Sequence, residues 1–136
     1  MFILDASVAL SHCLAEPEFR DQARRIMAAF SSETAMVPAI WSLELASGLL
    51  KKERGKVITT KEVDELLALW RAMPVAVDTL GLSVTFSDTL QLARKHQLSV
   101  YDASYLELAT RQKVSLASFD RALRDAAKRE GGVAGG

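Results

Sequence analysis

The chain has 136 residues, 49% hydrophobic and 25% charged, which suits one compact domain with a real core. Lys plus Arg and Asp plus Glu each number 17, so the formal net charge is zero. Bulk charge therefore offers no pull toward nucleic acid or an anionic membrane, and any such contact must come from local patches.

The N-terminal "MFILDASVALSHC" has no basic segment before its apolar run, and Asp5 interrupts it. Neither a signal peptide nor a membrane span is expected. Phe2–Leu4 reads as a first strand. Asp5 and Ser7 open a helix to about residue 15, and Cys13 packs within it. As the single cysteine, Cys13 excludes an intramolecular disulfide and fits a reducing, cytoplasmic compartment. "EPE" (16–18) ends this helix and starts another, with Pro17 suited to a first turn. Ile26, Ala29 and Phe30 give the second helix an i, i+3, i+4 stripe. "SSET" is a loop, and "AMV" before Pro38 is a second strand, because a residue before proline is pushed to extended geometry.

A third helix is predicted from about Ala39 to Arg54, with Gly55 as its left-handed stop. The next starts at Thr60 as N-cap. "VAV" (75–77) is a third strand, "SVTFSDTLQLARKHQ" a helix, and "SVYDASYLELATRQK" another with Asp102 near its start. "VSLAS" is a fourth strand and "FDRALRDAAKRE" the last helix. The expected domain spans 1–130, with "GGVAGG" (131–136) a flexible tail. Short strands alternating with helices predict an α/β fold, a parallel sheet with helices on both faces.

Such sheets bind ligands outside the carboxyl ends of their strands. Asp5 follows the first strand and Asp120 the last, so both should lie on one rim. Each of Asp5, Asp102 and Asp120 also suits a helix start, where a carboxylate caps or meets the dipole. Glu44 has no such explanation. It is the one charged residue in "VPAIWSLELASGLL", a helix whose apolar residues cover so much of its circumference that burial is expected. An unpaired buried carboxylate needs a cation, hydrogen bonds or a proton. The bland alternative is a narrow polar gap past Ser47 and Lys51. Four carboxylates in one pocket would repel, by about 4 kcal/mol for a pair near 4 Å at an effective dielectric of 20. They stay ionised together when a cation shares the site, and oxygen ligands favour Mg²⁺ or Mn²⁺ over zinc.

"FILDAS", "PAIWSLELASGLL", "LSVYDASYLELA" and "LASFDRAL" resemble the four acidic motifs of PIN-domain ribonucleases, nearest to the VapC-type toxins of toxin–antitoxin pairs. The resemblance covers essentially the whole chain, and "YDASYLELA" is its most specific part. It implies that Asp5, Glu44, Asp102 and Asp120 bind metal and form the catalytic site, with Ser7 and Ser118 supporting the pocket. Ser118 stands where many members have Thr, and Gln97 where glycine is common. It further implies a Mg²⁺- or Mn²⁺-dependent endoribonuclease acting through activated water, leaving 5′-phosphate and 3′-hydroxyl ends. A homodimer and a cognate antitoxin are implied as well, while the expected cytoplasmic location rests on the single cysteine and the expected lack of membrane association on the N-terminal stretch.

No histidine is needed for that chemistry, and His12 and His96 read as surface or packing residues. Lys51, Lys52, Arg54 and Lys56 are the first candidates for RNA contact, although cations belong at helix C-termini in any case. Arg94, Lys95, Arg121 and Arg124 are further candidates. Trp41, Leu49, Leu66, Leu67, Leu69 and Trp70 offer either a good core or a partner surface. A haloacid-dehalogenase-like phosphotransferase would want a second Asp two residues after Asp5, where Ser7 stands. A receiver domain would want adjacent acids, and Ala6 follows Asp5. The remaining rival is a catalytically inactive PIN-like module that binds RNA or protein.

Overall fold

The first strand is three fully buried residues, Phe2–Leu4 (β1), and everything else is built around it. In this computed structural model the described residues are 1–14, 20–28, 32–132 and 134–135. Strands β2 (Ala35–Val37), β3 (Val75–Val77), β4 (Ser115–Ala117) and β5 (Ala134–Gly135) join β1 in an all-parallel sheet, in the order β3-β2-β1-β4-β5. The predicted α/β class and all four predicted strands are present. Two residues of the stretch expected to form a tail, Ala134–Gly135, pair with Leu116 and Ala117 at the sheet edge.

The helices are α1 (Ala6–Leu14), α2 (Arg20–Ala28), α3 (Trp41–Arg54), α4 (Thr60–Ala72), α5 (Leu90–His96), α6 (Val100–Gln112) and α7 (Arg121–Arg129). Ile26 packs against the core from α2; the end expected for α1 near residue 15, the Pro17 turn, and Ala29 and Phe30 lie outside the described residues. The core joins β1, β2 and β4 with α6, α7 and the inner faces of α1 and α3. Trp41 and Trp70 meet edge to face, 5.6 Å between centroids, and tie α3 to α4. Trp41, Leu49 and Trp70 are thus buried, while Leu69 stays exposed.

Three local expectations need correction. Gly55 has φ −79°, and the left-handed residue is Lys56 at φ 58°. The Val57 amide reaches back to Lys52 O at 2.9 Å, closing the helix end around Lys56. The N-cap of α4 is Thr59, not Thr60. Thr59 accepts from the Glu62 amide while Glu62 accepts from the Thr59 amide, a reciprocal capping box. The helix expected across 83–97 is broken into a 3₁₀ turn (Gly81–Val84), a π turn (Thr85–Thr89) and α5. Here Ser83, Thr85 and Ser87 bond their hydroxyls to the carbonyls of Leu80, Gly81 and Val84, and such back-bonding competes with regular helix. Gln97 ends α5 left-handed at φ 56°, the conformation a glycine would adopt most easily.

His96 is a packing residue with a partner. It is buried, and its Nε2 lies 2.6 Å from Glu130 Oε1, which Lys95 also meets at 2.8 Å. Lys95 and then His96 hold the Glu130 carboxyl below the ordinary carboxylate range. The stability from a depressed carboxylate is present above its unfolded value and lost as pH falls through its folded one. Glu130→Gln should therefore cost about 1–2 kcal/mol at pH 6 and much less at pH 3. Urea unfolding at both values measures it, and an equal cost at both would contradict this assignment.

Candidate active site

The strand order places β1 between β2 and β4. The chain leaves β1 toward β2, while β4 lies on the other side. This reversal opens a crevice at the carboxyl ends of β1 and β4, the expected ligand position in an open parallel sheet. Asp5 follows β1 there, and Ser118, Phe119 and Asp120 follow β4.

Asp5 is buried and tightly held. Ser7 Oγ and Ser118 Oγ both donate to its Oδ2, each at 2.7 Å. Each hydroxyl has one proton to give. Ser7 Oγ receives the Phe119 amide at 3.1 Å, and Ser118 Oγ receives the Asp120 amide at 3.0 Å. The acceptor sides of both hydroxyls are therefore in use, and both protons go to Asp5. Neither hydroxyl touches Oδ1. Asp120 is also the N-cap of α7, its Oδ1 accepting from the Leu123 amide at 2.8 Å, so the capping expected of it is real.

Glu44 lies in the first turn of α3, half-buried beside an open cleft of about 420 Å³ lined by Ile40, Leu43, Ser47, Gly48 and Tyr101. The expectation that this helix is buried over most of its circumference does not hold. Only Trp41, Leu45 and Leu49 form its buried stripe, and Leu43 is 70% exposed. Glu44 is instead held by a partner the sequence did not reveal: the Tyr105 hydroxyl donates to Oε1 at 2.7 Å. Gly48 lets α3 approach α1, since a Cβ there would stand 2.8 Å from a Leu10 methyl. Asp102 is the third residue of α6, which Ser99 caps by accepting the Asp102 amide at 3.0 Å. The Asp102 carboxylate is thus free of the capping role.

The four acids sense one another. Burial pushes Asp5 above the ordinary carboxylate range, and Asp120 adds to it. Burial raises Glu44, with Asp5 and Asp102 contributing. Burial raises Asp102, with Asp120 and Asp5 contributing. Among the described residues none of the four pairs with Lys or Arg. Nor do three such side chains converge into a close ligand cluster there. All four donors are carboxylates, whose oxygens suit Mg²⁺ or Mn²⁺ better than zinc, and Mg²⁺ keeps several waters while taking one or two carboxylates.

Raised carboxylates contribute stability that is fully present below their unfolded values, 3.8 for Asp and 4.5 for Glu, and lost as pH rises through their folded ones. A cation that needs them ionised competes with those protons. Stabilisation by Mn²⁺ should accordingly be larger at pH 7.5 than at pH 5, reaching about 2.7 kcal/mol at 100-fold excess over its dissociation constant. Thermal unfolding with and without Mn²⁺ at the two pH values checks this, and an equal shift at both would contradict it.

The basic candidates lie elsewhere. Lys51, Lys52 and Arg54 occupy the last turn of α3 and Lys56 the turn beyond it. At 1.5 Å per residue Lys51 to Arg54 stand about 10–15 Å along the axis from Glu44. Arg121 is exposed beside Asp120, Arg124 is half-buried and Arg94 is exposed.

A second acidic cluster was missed. Asp78 follows β3 on the same rim and Glu107 lies on α6, both buried. Arg111 forks onto Asp78 with Nη1–Oδ1 3.1 Å and Nη2–Oδ2 2.7 Å, and Nε meets both Glu107 oxygens at 3.0 Å. Arg111 holds the Asp78 carboxyl below the ordinary range. The Gly81 amide also donates to Asp78 at 2.7 Å, an approach that a Cβ at Gly81 would obstruct. Both carboxylates of this cluster share the one guanidinium, and the triad serves to pin the 78–89 segment to α6.

The PIN domain family model matches residues 2–129. A VapC ribonuclease of Mycobacterium bovis and ribonuclease VapC9 of Mycobacterium tuberculosis are each 32% identical over 126 residues, 92% of this chain and 90% of theirs. The chain belongs to the PIN domain family and, within it, to the VapC-type ribonucleases. Among solved structures, Mycobacterium tuberculosis VapC20, described as a sarcin–ricin loop cleaving toxin, superposes with TM-score 0.69 at 16% identity, covering 93% of this chain and 95% of that one. FitAcB of Neisseria gonorrhoeae gives TM-score 0.66 at 15% identity, covering 100% and 97%. These two likenesses concern the fold.

Proposed function

We propose that this protein is a Mg²⁺- or Mn²⁺-dependent endoribonuclease, the toxin of a toxin–antitoxin pair, with Asp5, Glu44, Asp102 and Asp120 as its catalytic carboxylates. The observation that carries this is four acids that influence one another electrostatically and have no cationic partner among the described residues. They come from four segments, with Asp5 and Asp120 following β1 and β4 at the switch point, and three of them are raised by burial and by each other. Bound among these oxygens, the ion would supply Lewis acidity toward a phosphodiester and lower the pKa of an attacking water.

The chain's own residues do the rest. Ser7 and Ser118 fix Asp5 through Oδ2. Asp120 is fixed by the α7 amide it caps. Glu44 is carried by the first turn of α3 and Asp102 by the first turn of α6. RNA would enter across the open cleft beside Glu44, where Tyr101 and Leu43 are exposed. Lys51, Lys52, Arg54 and Lys56 are positioned to meet a phosphate backbone some distance from the cut, not at it.

A homodimer and an antitoxin would use exposed apolar surface. Such surface is found at Leu80, Leu82 and Phe86, which are 60%, 73% and 93% exposed, and on the α3–α4 pair at Leu43 and Leu69, which are 70% and 64% exposed. Among the described residues no helix is long and apolar enough to cross a membrane.

The test is the chemistry of the cut ends. With Mn²⁺ and a synthetic hairpin RNA, product ends should be 5′-phosphate and 3′-hydroxyl, and EDTA should stop the reaction. Products ending in 2′,3′-cyclic phosphate, formed equally in EDTA, would reject the metal-dependent route.

A further inference from the structure

Tyr105 lies one turn after Asp102 on α6 and is fully buried. Its hydroxyl donates to Glu44 Oε1 at 2.7 Å. A phenol has one proton to give and an ionised carboxylate can only accept, so the bond runs from Tyr105 to Glu44. It joins the first turn of α3 to α6, one turn beyond Asp102.

Glu44 needs such a partner. It projects beside an open cleft, with Leu43 and Ser47 exposed on the same helix. A glutamate has three side-chain torsions, and ordering them when a ligand arrives weakens binding. A bond made beforehand removes that cost. Partners behind metal ligands act in this way by orienting the ligand they touch.

We propose that Tyr105 is a positioning residue for the carboxylate site: its hydroxyl holds Glu44 by Oε1 in the orientation that receives a divalent cation. This rests on reading the four acids as a cation site. Tyr105 itself does not touch the ion; it acts through Glu44.

The test is a double-mutant cycle on Mn²⁺ affinity, with free Mn²⁺ read by electron paramagnetic resonance. It compares full-length wild type, Tyr105→Phe, Glu44→Gln and the double variant. Tyr105→Phe should raise the Mn²⁺ dissociation constant about tenfold, within the usual range for such partners. In the Glu44→Gln background the same change should add less than about twofold. Wild-type affinity in Tyr105→Phe, or an equal loss in both backgrounds, would overturn the proposal, the second because it marks general structural damage. Absence of saturable Mn²⁺ binding by wild type would remove the cation reading and this inference with it.

Should Tyr105→Phe not fold, fluorine NMR on the 3-fluorotyrosine-labelled protein decides. The chain has two tyrosines, and Tyr101→Phe assigns the signals. Saturating Mg²⁺ should move the Tyr105 signal in wild type and leave it in place in Glu44→Gln. A Tyr105 signal unmoved in wild type that binds Mg²⁺ would overturn the proposal.

Discussion

Asp5→Asn should lower RNA cleavage by at least about 100-fold, beyond the effect of losing a partner behind a ligand, and remove most of the Mn²⁺-dependent gain in melting temperature. It should not destabilise the metal-free protein. The asparagine carbonyl can accept the same two hydroxyl bonds from Ser7 and Ser118 that Oδ2 accepts. Meanwhile a buried charge, raised by burial and by Asp120, is gone. The pairing of lost activity with undiminished metal-free stability separates a functional carboxylate from a structural one. Cleavage assays and thermal unfolding on the same preparation measure both. A metal-free protein much less stable than wild type would mean that Asp5 serves the fold.

Arg111→Ala should produce the opposite pattern, a large loss of stability. It leaves Asp78 and Glu107, whose side chains are 6% and 5% exposed, facing each other without their shared cation. Breaking a buried ion pair from one side costs about 3–5 kcal/mol. Arg111→Lys should recover only part of this, because an ammonium cannot reproduce two forks at once. Urea unfolding gives the number directly, and a loss under about 1 kcal/mol would show that water replaces the guanidinium without penalty. RNA cleavage per folded molecule should change little, since the triad supports the 78–89 segment and not the four proposed catalytic carboxylates.

These two clusters differ in how far the sequence exposes them. Asp5, Asp102 and Asp120 stand directly after predicted strands or at helix starts, so a parallel sheet alone sends them toward its carboxyl rim. Glu44 is conspicuous because a charge interrupts an apolar helix, although that helix is more exposed than its composition suggests. The inference of burial was too strong: Leu43 and Leu50 are apolar and yet exposed. Tyr105 reaches Glu44 across 61 positions and Asp78 reaches Arg111 across 33, and no local period encodes such a pairing. The i, i+4 spacing of Glu107 and Arg111 is visible, but by itself it describes an ordinary surface pair. What made it a buried triad is Asp78, which no motif marks.

Local backbone chemistry explains the other differences. The strands β2 and β3 were legible because each is an apolar run bounded by polar or proline positions, Thr34 and Pro38 for the one and Pro74 and Asp78 for the other. The 83–97 segment has a helical pattern, but Ser83, Thr85 and Ser87 divert carbonyls, and Asp78 holds the Gly81 amide. The capping box at Thr59 and Glu62 was legible as T-x-x-E; choosing Thr60 overlooked the reciprocal partner.

Whether the four carboxylates cut RNA is decided most directly by incubating total bacterial RNA and Mn²⁺ with wild type and Asp102→Asn, purified side by side, and sequencing the new 5′ ends. Discrete cuts made by wild type and absent with Asp102→Asn are the expected result, and they name the substrate at the same time. Equal cutting by both proteins, or no discrete cut by a wild type that binds Mn²⁺, would contradict the assignment of these four acids as a ribonuclease site.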